Sequence, residues 1–512
     1  MNLSSFKLRF MVSAGANVIK AGLGFVTGML LARGLGPAVY GDMAFLLGTF
    51  LSIRVLLDMG SSSAFYTFIS QRPRGPSFFV YFFAWLAVQF ALTLAFVCWL
   101  APDAIFHHIW LNQPRALVAM ALLASFVQQP LWIVVGYVGE SMRRTVQVQL
   151  LGVLVSMFYL VAVAGLTWLG RLDLEHVFVL LIAQYLIASG VAYLWWRKSL
   201  SMHAVKEPGW RQIWSEYRGY CTPMLALSLV AFCYSFLDRW LLQSFAGSTQ
   251  QGFYQVASQF SLVSLLATTS IMNIFWKEIA AAWSERDHAR VARLYQQVSR
   301  GLVLFSAALT ALILPWAGVL LSSVLGSAYS NALPILMVML CYPIHQSLGQ
   351  VNGSMLLACG RTREQMLNGF IGMGISMPIS YLLLAPKSAW LPGLGMGALG
   401  LALKMLIISL IAVNIQSWLI ARYHGWRFDW RYQALGIPVL FALGWGIHAM
   451  LQCLPSAWQS GWPVLIVFAA AMTAFGVGVV FLVLRTPAVL GLGQDERALL
   501  AHALAQLWRT RS

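Results

Sequence analysis

The chain has 512 residues, of which 60% are hydrophobic and 10% charged, and its formal net charge is +17. So few polar residues cannot cover a water-soluble globule of this size, which excludes a soluble protein and predicts a polytopic membrane protein. The basic residues lie in short gaps between apolar runs instead of forming a stripe or a basic helix, so they do not indicate nucleic-acid binding.

The chain opens with a predicted helical hairpin. Apolar runs at 11–31 and 39–59 flank a hinge at 32–37, and each run of about 21 residues can cross a hydrocarbon core about 30 Å thick. Lys7 and Arg9 precede the first run, as they would in a signal peptide. No small-residue cleavage site follows, so we expect this helix to be retained.

Further apolar runs of about 18 residues or more bring the predicted number of membrane helices to fourteen. They cover residues 78–100, 116–138, 146–169, 177–196, 222–245, 253–276, 299–321, 332–358, 366–385, 397–420, 434–454 and 462–484. Segments on one side of the predicted membrane hold about 25 basic residues, and the opposite segments hold only Arg33, Arg115, Arg171 and Lys387. Because positively charged segments stay in the cytoplasm, both termini are predicted to be cytoplasmic.

The first hairpin recurs once along the chain. Leu30, Leu31, Gly36 and Gly41 fall on Leu241, Leu242, Gly247 and Gly252, always 211 positions later. A second echo, at a spacing of 220, aligns residues 152–157 with residues 372–377. The repeat predicts an all-α protein of two six-helix lobes in parallel pseudo-repeat, followed by two C-terminal helices, with the binding site between the lobes.

Five segments follow from this pattern. The N-terminal lobe is predicted at 1–200, the C-terminal lobe at 222–422, the two extra helices at 423–484 and a cytoplasmic amphipathic tail at 485–512. Segment 201–221 is predicted to link the lobes through an interfacial cytoplasmic helix, because its apolar residues have helical spacing. These residues are Trp210, Ile213, Trp214 and Tyr217.

Six charged side chains fall inside the predicted spans, namely Lys20, Arg54, Arg239, Lys404, Asp58 and Asp238. Each would cost about 2.5 to 3.5 kcal/mol at a lipid-facing helix centre. They must therefore face a wet cavity, pair with one another, or extend to the headgroups. Four bases and two acids give a net charge of +2, which favours an anionic ligand, and arginine suits phosphate through its fork of donors.

The positions of these residues separate the alternatives in part. Lys20 lies near the middle of its span with Asn17 one turn before it, which favours a cavity. Lys404, Arg54 and Asp58 lie nearer helix ends, so extension to the headgroups stays open for them. Arg54 and Asp58 are also four residues apart, and their spacing permits either a structural ion pair or a switch that an anion would break.

Asp238 and Arg239 are adjacent and point about 100° apart on a helix, so they cannot simply neutralise each other. At least one of the two should face the protein interior, and both acids of the set, Asp58 and Asp238, are candidates for ion coupling. No nucleophile elbow, metal motif or phosphate-cradling glycine loop is found, so we predict no catalytic residue, metal or cofactor. The six cysteines lack ligand spacing, and we expect no disulfide.

The hairpin at 30–41, with the segment 236–242 and the residues 252–254, resembles the polysaccharide transporters of the multidrug/oligosaccharidyl-lipid/polysaccharide (MOP) exporter superfamily. The resemblance implies a MATE-like pair of lobes in the bacterial inner membrane. Such a protein flips undecaprenyl-diphosphate-linked oligosaccharides from the cytoplasmic to the periplasmic leaflet, beside a polysaccharide polymerase and chain-length machinery. On this hypothesis the diphosphate binds Lys20, Arg54 and Arg239, with Lys404 and Asn17 also in the cavity.

Arg54 and Asp58 also resemble an Arg-x-x-x-acid pattern near the inner end of the second helix in lipid II flippases. In those proteins two extra C-terminal helices form a groove for the lipid tail, and the resemblance implies the same role for helices thirteen and fourteen here. Three alternatives remain open at this point. A multidrug exporter of the same fold would suit cationic drugs better with an acid-rich or apolar cavity. A membrane polymerase or ligase needs a sizeable outer loop, and a non-transporting scaffold would not need buried charges.

Overall fold

The protein is helical throughout the part described by the computed structural model, which comprises residues 3–201, 209–428, 430–453 and 463–485. No β-strand occurs within these ranges. The all-α prediction is therefore confirmed. The predicted C-terminal tail beyond residue 485 lies outside the described residues.

The first ten helices are α1 Leu3–Asp58, α2 Ser61–Gln71, α3 Pro76–Ala95, α4 Asp103–Trp110, α5 Arg115–Phe126, α6 Trp132–Ser141, α7 Thr145–Trp168, α8 Leu174–Ser201, α9 Trp210–Cys221 and α10 Leu225–Ser284. The remaining seven are α11 His288–Ile313, α12 Ala317–Leu325, α13 Leu333–Ala358, α14 Thr362–Leu384, α15 Gly397–Tyr423, α16 Ile437–Gln452 and α17 Pro463–Arg485. Short π-helical turns precede α6 and α16 and follow α3.

Among the described residues, 11 helices are long and apolar enough to cross a membrane. Two of these exceed twice the length of about 20 residues that one crossing needs: Val12–Asp58 in α1, with 47 residues, and Trp210–Val263, which runs from α9 into α10, with 54. A shorter apolar helix covers Val467–Leu482. The protein is thus a multi-pass membrane protein, and the number fourteen stays a prediction.

Both long helices are interrupted by a glycine. Gly36 breaks α1 with φ 74° and ψ 167°, and Gly247 breaks α10 with φ 83° and ψ 173°. A side chain is strained at such positive φ, so glycine is the residue that allows each helix to fold back as a hairpin. The two breaks are 211 positions apart, which is the spacing of the sequence repeat.

The two hairpins also contact each other reciprocally. A Cβ atom at Gly41 would overlap the carbonyl oxygen of Ser248, and one at Gly252 would overlap the carbonyl oxygen of Pro37. Pro37 and Ser248 are again 211 positions apart, as are Gly41 and Gly252. This exchange of equivalent contacts is the pattern that a pseudo-two-fold axis produces.

The chain forms two compact units. The first comprises Met1–Val256 and Met373–Leu401, and the second comprises Ala257–Gly372 and Ala402–Ser512. Their limits differ from the predicted lobes at 1–200 and 222–422, and the predicted lobe boundaries stay a prediction.

The first unit contains a core rich in aromatic rings. Phe65 of α2 stacks on Phe82 of α3 with ring centroids 4.1 Å apart, and Phe78 lies 5.8 Å from Phe65. Trp196 of α8 and Ile213 of α9 pack into the same cluster. The predicted linker segment therefore contains a helix, Trp210–Cys221, and its buried residue Ile213 anchors that helix to the first unit.

The second unit is organised around a buried asparagine. Asn352 accepts a hydrogen bond of 2.7 Å from the Tyr295 hydroxyl and donates to the Val413 carbonyl and the Ser417 hydroxyl. These bonds join α11, α13 and α15. Because each polar group of Asn352 is satisfied, its complete burial is stable.

The two C-terminal helices belong to this second core. A Cβ atom at Gly444 of α16 would overlap the Ala311 carbonyl oxygen of α11, so glycine lets the two backbones approach closely. Leu440 of α16 and Phe475 of α17 pack with Val303 of α11.

Candidate functional site

Lys20 of α1 lies half-buried among polar groups of the first unit. Its ammonium donates a hydrogen bond of 2.8 Å to the side-chain oxygen of Gln149 on α7. Gly152, one turn further along α7, leaves room for the lysine stem, because a Cβ atom there would lie 3.1 Å from the Lys20 Cδ. Glu140 of α6 is close enough to interact electrostatically with the ammonium. Asn17, predicted beside Lys20, is exposed.

Arg54, near the end of α1, is likewise held by an amide. Its guanidinium donates a hydrogen bond of 3.1 Å to the side-chain oxygen of Gln129. Gln129 lies in the π-helical turn Val127–Leu131, which contains Pro130. This turn rotates the glutamine relative to a regular helix, and that local irregularity places its amide opposite Arg54.

Asp58 does not form the ion pair with Arg54 that their spacing permits. Its carboxylate instead accepts hydrogen bonds of 3.1 Å from the Ser61 hydroxyl and the Ser62 backbone N–H, and a third from the Ser62 hydroxyl. These donors lie in the first turn of α2, where unpaired N–H groups and the helix dipole favour an anion. A helix cap therefore stands in place of the close ion pair that the spacing permits, and Arg54 and Asp58 interact at longer range.

Arg239 of α10 contacts the first helix about a turn and a half before Arg54. Its guanidinium donates to the Gly48 carbonyl oxygen at 2.7 Å and reaches the Ser52 hydroxyl at 3.4 Å. A Cβ atom at Gly48 would lie 2.6 Å from both Cδ and Nε of Arg239, so only glycine leaves this space. Ser235, one turn before Arg239, donates to the same Ser52 hydroxyl.

Asp238 turns away from its neighbour Arg239. It is buried and accepts a hydrogen bond of 2.5 Å from the Ser380 hydroxyl of α14. The two adjacent charges thus have different hydrogen-bond partners, and they also interact electrostatically with each other. Lys404 belongs to the second unit and is only 1% exposed, which does not fit the alternative of extension to the headgroups.

A carboxylate and two tyrosines, which the sequence pattern did not indicate, lie beside these charged residues. Together with Lys20, Arg54 and Asp58 they form a polar cluster. Glu140 accepts a hydrogen bond of 3.3 Å from the Tyr66 hydroxyl, and the Tyr66 ring stacks on Tyr137 with centroids 4.6 Å apart. Tyr137 lies close enough to Arg54 and Asp58 to interact electrostatically with both. Glu140 lies two residues beyond the apolar run 116–138, so it is not among the charged residues inside the predicted spans.

The added carboxylate changes the charge balance of the first unit. Three bases, Lys20, Arg54 and Arg239, and three acids, Asp58, Asp238 and Glu140, give these six groups a formal charge of zero. The value of +2 expected from the sequence refers to a different set, which includes Lys404 and omits Glu140. The arrangement matters more than the sum. Each of the three cations is held by an uncharged oxygen, from Gln149, Gln129 or the Gly48 carbonyl.

The profile of the polysaccharide biosynthesis protein family matches residues 9–275, which is more than half of the chain and contains all six of these charged groups. The chain belongs to this family. None of the curated proteins compared matches the chain at a significant level.

Solved structures show the same fold in transporters. The lipid II flippase MurJ in an inward closed conformation has a TM-score of 0.66 and 13% identity, over 92% of this chain and 99% of that one. An inward-facing multidrug resistance MATE family transporter of the MOP superfamily has a TM-score of 0.63 and 14% identity, over 81% and 98%. A MOP superfamily transporter from Pyrococcus furiosus has a TM-score of 0.54 and 12% identity, over 81% and 95%.

At these identities the likeness shows the fold alone, and it confirms the expected MATE-like architecture. This polysaccharide biosynthesis protein therefore shares its fold with transporters and with a flippase. Its polar cluster offers cations that can exchange an amide oxygen for the oxygen of a ligand, because both are hydrogen-bond acceptors and an ionised acceptor binds the cation more strongly.

Proposed function

We propose that the protein flips undecaprenyl-diphosphate-linked oligosaccharides from the cytoplasmic to the periplasmic leaflet of a bacterial inner membrane by alternating access. The product would serve the synthesis of a surface polysaccharide such as O-antigen, capsule or exopolysaccharide. Membership of the polysaccharide biosynthesis family supports this proposal. The observation that carries it is the set of cations, Lys20, Arg54 and Arg239, each held by an uncharged oxygen.

The diphosphate is the part of such a substrate that these cations suit. Its oxygens are charged acceptors, which form stronger hydrogen bonds with cations than amide oxygens do. They can therefore displace Gln149 from Lys20 and Gln129 from Arg54. A cation already paired with a carboxylate would have to give up a stronger partner first. Asn17 and Lys404 stay predicted contacts of the same substrate.

Asp58 and Asp238 remain our candidates for ion coupling. Asp58 already caps α2, so protonating it would remove the acceptor of three hydrogen bonds at the start of that helix. Asp238, with Ser380 as partner, is adjacent to Arg239 in sequence. Its electrostatic environment would therefore change when that arginine binds a charged ligand. On this proposal both termini are cytoplasmic, and a polysaccharide polymerase and its chain-length machinery receive the flipped substrate.

Charge-removing and charge-keeping variants test the binding roles. Lys20→Ala and Arg239→Ala should abolish flipping with near-normal membrane abundance, because removing a buried cation relieves a desolvation cost. Lys20→Arg should retain partial activity, since either cation attracts phosphate. Arg239→Lys should lose more if its substrate contact is bidentate. Membrane abundance and periplasmic glycan are measured together.

Two outcomes would contradict these roles. Normal glycan with normal abundance in both alanine variants would remove the cations from the binding site. A strong drop in abundance for Arg239→Ala would instead indicate a structural role, because stranding a buried charge partner costs about 3 to 5 kcal/mol.

A multidrug exporter is the second candidate, favoured by the three acids in the first unit, since carboxylates suit cationic drugs. Deleting the gene separates the two. Loss of surface polysaccharide with unchanged drug sensitivity is the result expected of a flippase, whereas drug hypersensitivity with normal polysaccharide would support the exporter.

A further inference from the structure

The first unit contains an apolar pocket that lies outside the proposed diphosphate contacts. It has a volume of about 470 Å³ and lies between α3, the end of α1 and the helix α9. The largest side chains in its lining are those of Trp85 of α3 and of Trp210 and Trp214 of α9. The volume falls within the range of about 300 to 1,000 Å³ typical of pockets that hold small organic ligands.

The wall formed by α9 is fixed in place. Glu216 of this helix accepts hydrogen bonds on both carboxylate oxygens, from Arg72 at 2.8 Å and from Arg74 at 2.7 Å. Arg74 is buried, and its guanidinium lies 4.6 Å from the ring centroid of Phe78. Ile213 is buried on the same side. The ion pairs of Arg72 and Arg74 with Glu216, together with the buried Ile213, hold this wall in place. The pocket is therefore formed before any ligand binds.

The chemistry of the lining points to a lipid. Trp210 and Trp214 remain more than half exposed although they line the pocket, and α9 has the amphipathic pattern of a helix that lies in the membrane interface. Arg218, one turn after Trp214, lines the pocket with an exposed side chain. Asp58 is the acidic residue of the lining, and its carboxylate is engaged by Ser61 and Ser62. The arginine is thus the charge that is available to a ligand.

We propose that this pocket binds one acyl chain of a phospholipid from the leaflet in which α9 lies, with the lipid phosphate on Arg218. The chain would contact Tyr81, Trp85 and Val88 along α3. A bound phospholipid would hold α9 against α3 while the rest of the protein transports its substrate. The site includes none of the diphosphate contacts proposed above and does not depend on them, although Asp58, one of our candidates for ion coupling, also lines it.

Photo-crosslinking tests the proposal with a matched pair of variants. The probe is phosphatidylglycerol with a diazirine in one acyl chain, added to the full-length protein in lipid nanodiscs. Crosslinks are mapped to the peptides that contain residues 81–88 and 210–225. Ala84 lines the pocket and is exposed, so Ala84→Trp should fill the space without disturbing the core. Ala87, also exposed on α3 but outside the lining, supplies the control Ala87→Trp.

We expect crosslinks to both peptides in the wild type and in Ala87→Trp, and loss of these crosslinks in Ala84→Trp. A second pair tests the headgroup. Arg218→Gln should weaken labelling, whereas Arg211→Gln, an exposed arginine of the same helix outside the lining, should not. Thermal unfolding of each variant in the same nanodiscs confirms that it is folded.

Two results would overturn the proposal. The first is equal labelling of both peptides in Ala84→Trp and in the wild type. The second is labelling by a photoreactive polyprenyl phosphate that excess phosphatidylglycerol does not compete away, which would assign the pocket to an isoprenoid chain.

Discussion

At Gly48 a missing side chain makes room for a charge. The guanidinium of Arg239 occupies the space that a Cβ atom would fill and donates to the carbonyl oxygen of Gly48 itself. A substitution at this glycine therefore moves the arginine without removing its charge. That separation is useful, because it tests position and charge independently.

We predict that Gly48→Ala reduces transport while the protein remains folded. A hydrogen bond to a charged group is worth about 1.5 to 3 kcal/mol, so displacing Arg239 should weaken substrate binding roughly 10- to 100-fold. Binding of a labelled lipid diphosphate to the purified protein measures the effect. Gly24 of the same helix has open space around it, and Gly24→Ala is the control that should bind normally. Equal binding by the two variants would contradict a ligand role for Arg239.

His424 supplies a pH-dependent test in the second unit, just after the end of α15. Its ring stacks on Trp426 at 4.7 Å and meets the edge of Trp283 at 5.4 Å. Burial lowers the pKa of His424, and the charges of Arg361 and His288 lower it further. The folded state therefore favours the neutral ring, and its contribution to stability is present above the ordinary histidine pKa and is lost as the pH falls towards the folded value.

The expected result is a pH-dependent difference between the wild type and His424→Phe. Between about pH 7.5 and about pH 5.5, which brackets the ordinary histidine pKa of about 6.5, the melting temperature of the wild type should fall more than that of the variant. Thermal unfolding in one detergent across this range measures both. Parallel curves would show that His424 does not prefer its neutral form in the folded protein.

At the scale of elements, the glycine contact between the two hairpins leaves no room for a side chain. A Cβ atom at Gly41 meets backbone, at the Ser248 carbonyl, which cannot rotate away as a side chain can. Overpacking of this kind typically costs about 1 to 3 kcal/mol. Gly41→Ala should therefore lower the melting temperature.

Gly22→Ala is the matched control in the same long helix. Gly22 has nothing within 4 Å of its added Cβ, and alanine is the better helix former by about 1 kcal/mol, so this variant should be neutral or more stable. The reciprocal change Gly252→Ala should behave like Gly41→Ala. An unchanged melting temperature in both would mean that the hairpins do not pack as described.

The elements differ in how far sequence could predict them. The hairpins were predictable, because run length, glycine and the 211-residue spacing are all local signals. The cap at Asp58 was also predictable in principle, since Gly60, Ser61 and Ser62 follow within four residues. The partner of Lys20 was not, because Gln149 lies 129 positions away and only the packing of α1 on α7 brings it near.

Glutamines inside the apolar runs are a further sequence signal for polar positions in the interior of the protein. Gln129 and Gln149 are expensive in a lipid-facing position for the same reason as a charge, since an unsatisfied amide costs free energy in an apolar medium. Counting them with the charged residues would have indicated α5 to α7 as the polar wall of the first unit. Their exact partners still depend on tertiary packing.

At the scale of the whole molecule, the family assigns the chain to polysaccharide biosynthesis, and its fold is one that membrane transporters share. The cations of the first unit are the basis of the proposed substrate. The substrate assignment depends on one step that neither family nor fold measures, which is the passage of a lipid-linked glycan across a bilayer. Binding alone would not establish it, because a scaffold or an enzyme of the same pathway could also bind the lipid.

Reconstitution measures that step directly. The purified protein is placed in liposomes that carry a labelled polyprenyl-diphosphate oligosaccharide, and the fraction of label accessible from each side is followed over time. We predict transfer of label between leaflets with the wild type, and its loss with Lys20→Ala and Arg239→Ala in liposomes containing equal amounts of folded protein. Label that stays in its original leaflet in the presence of the wild-type protein would contradict the proposed function.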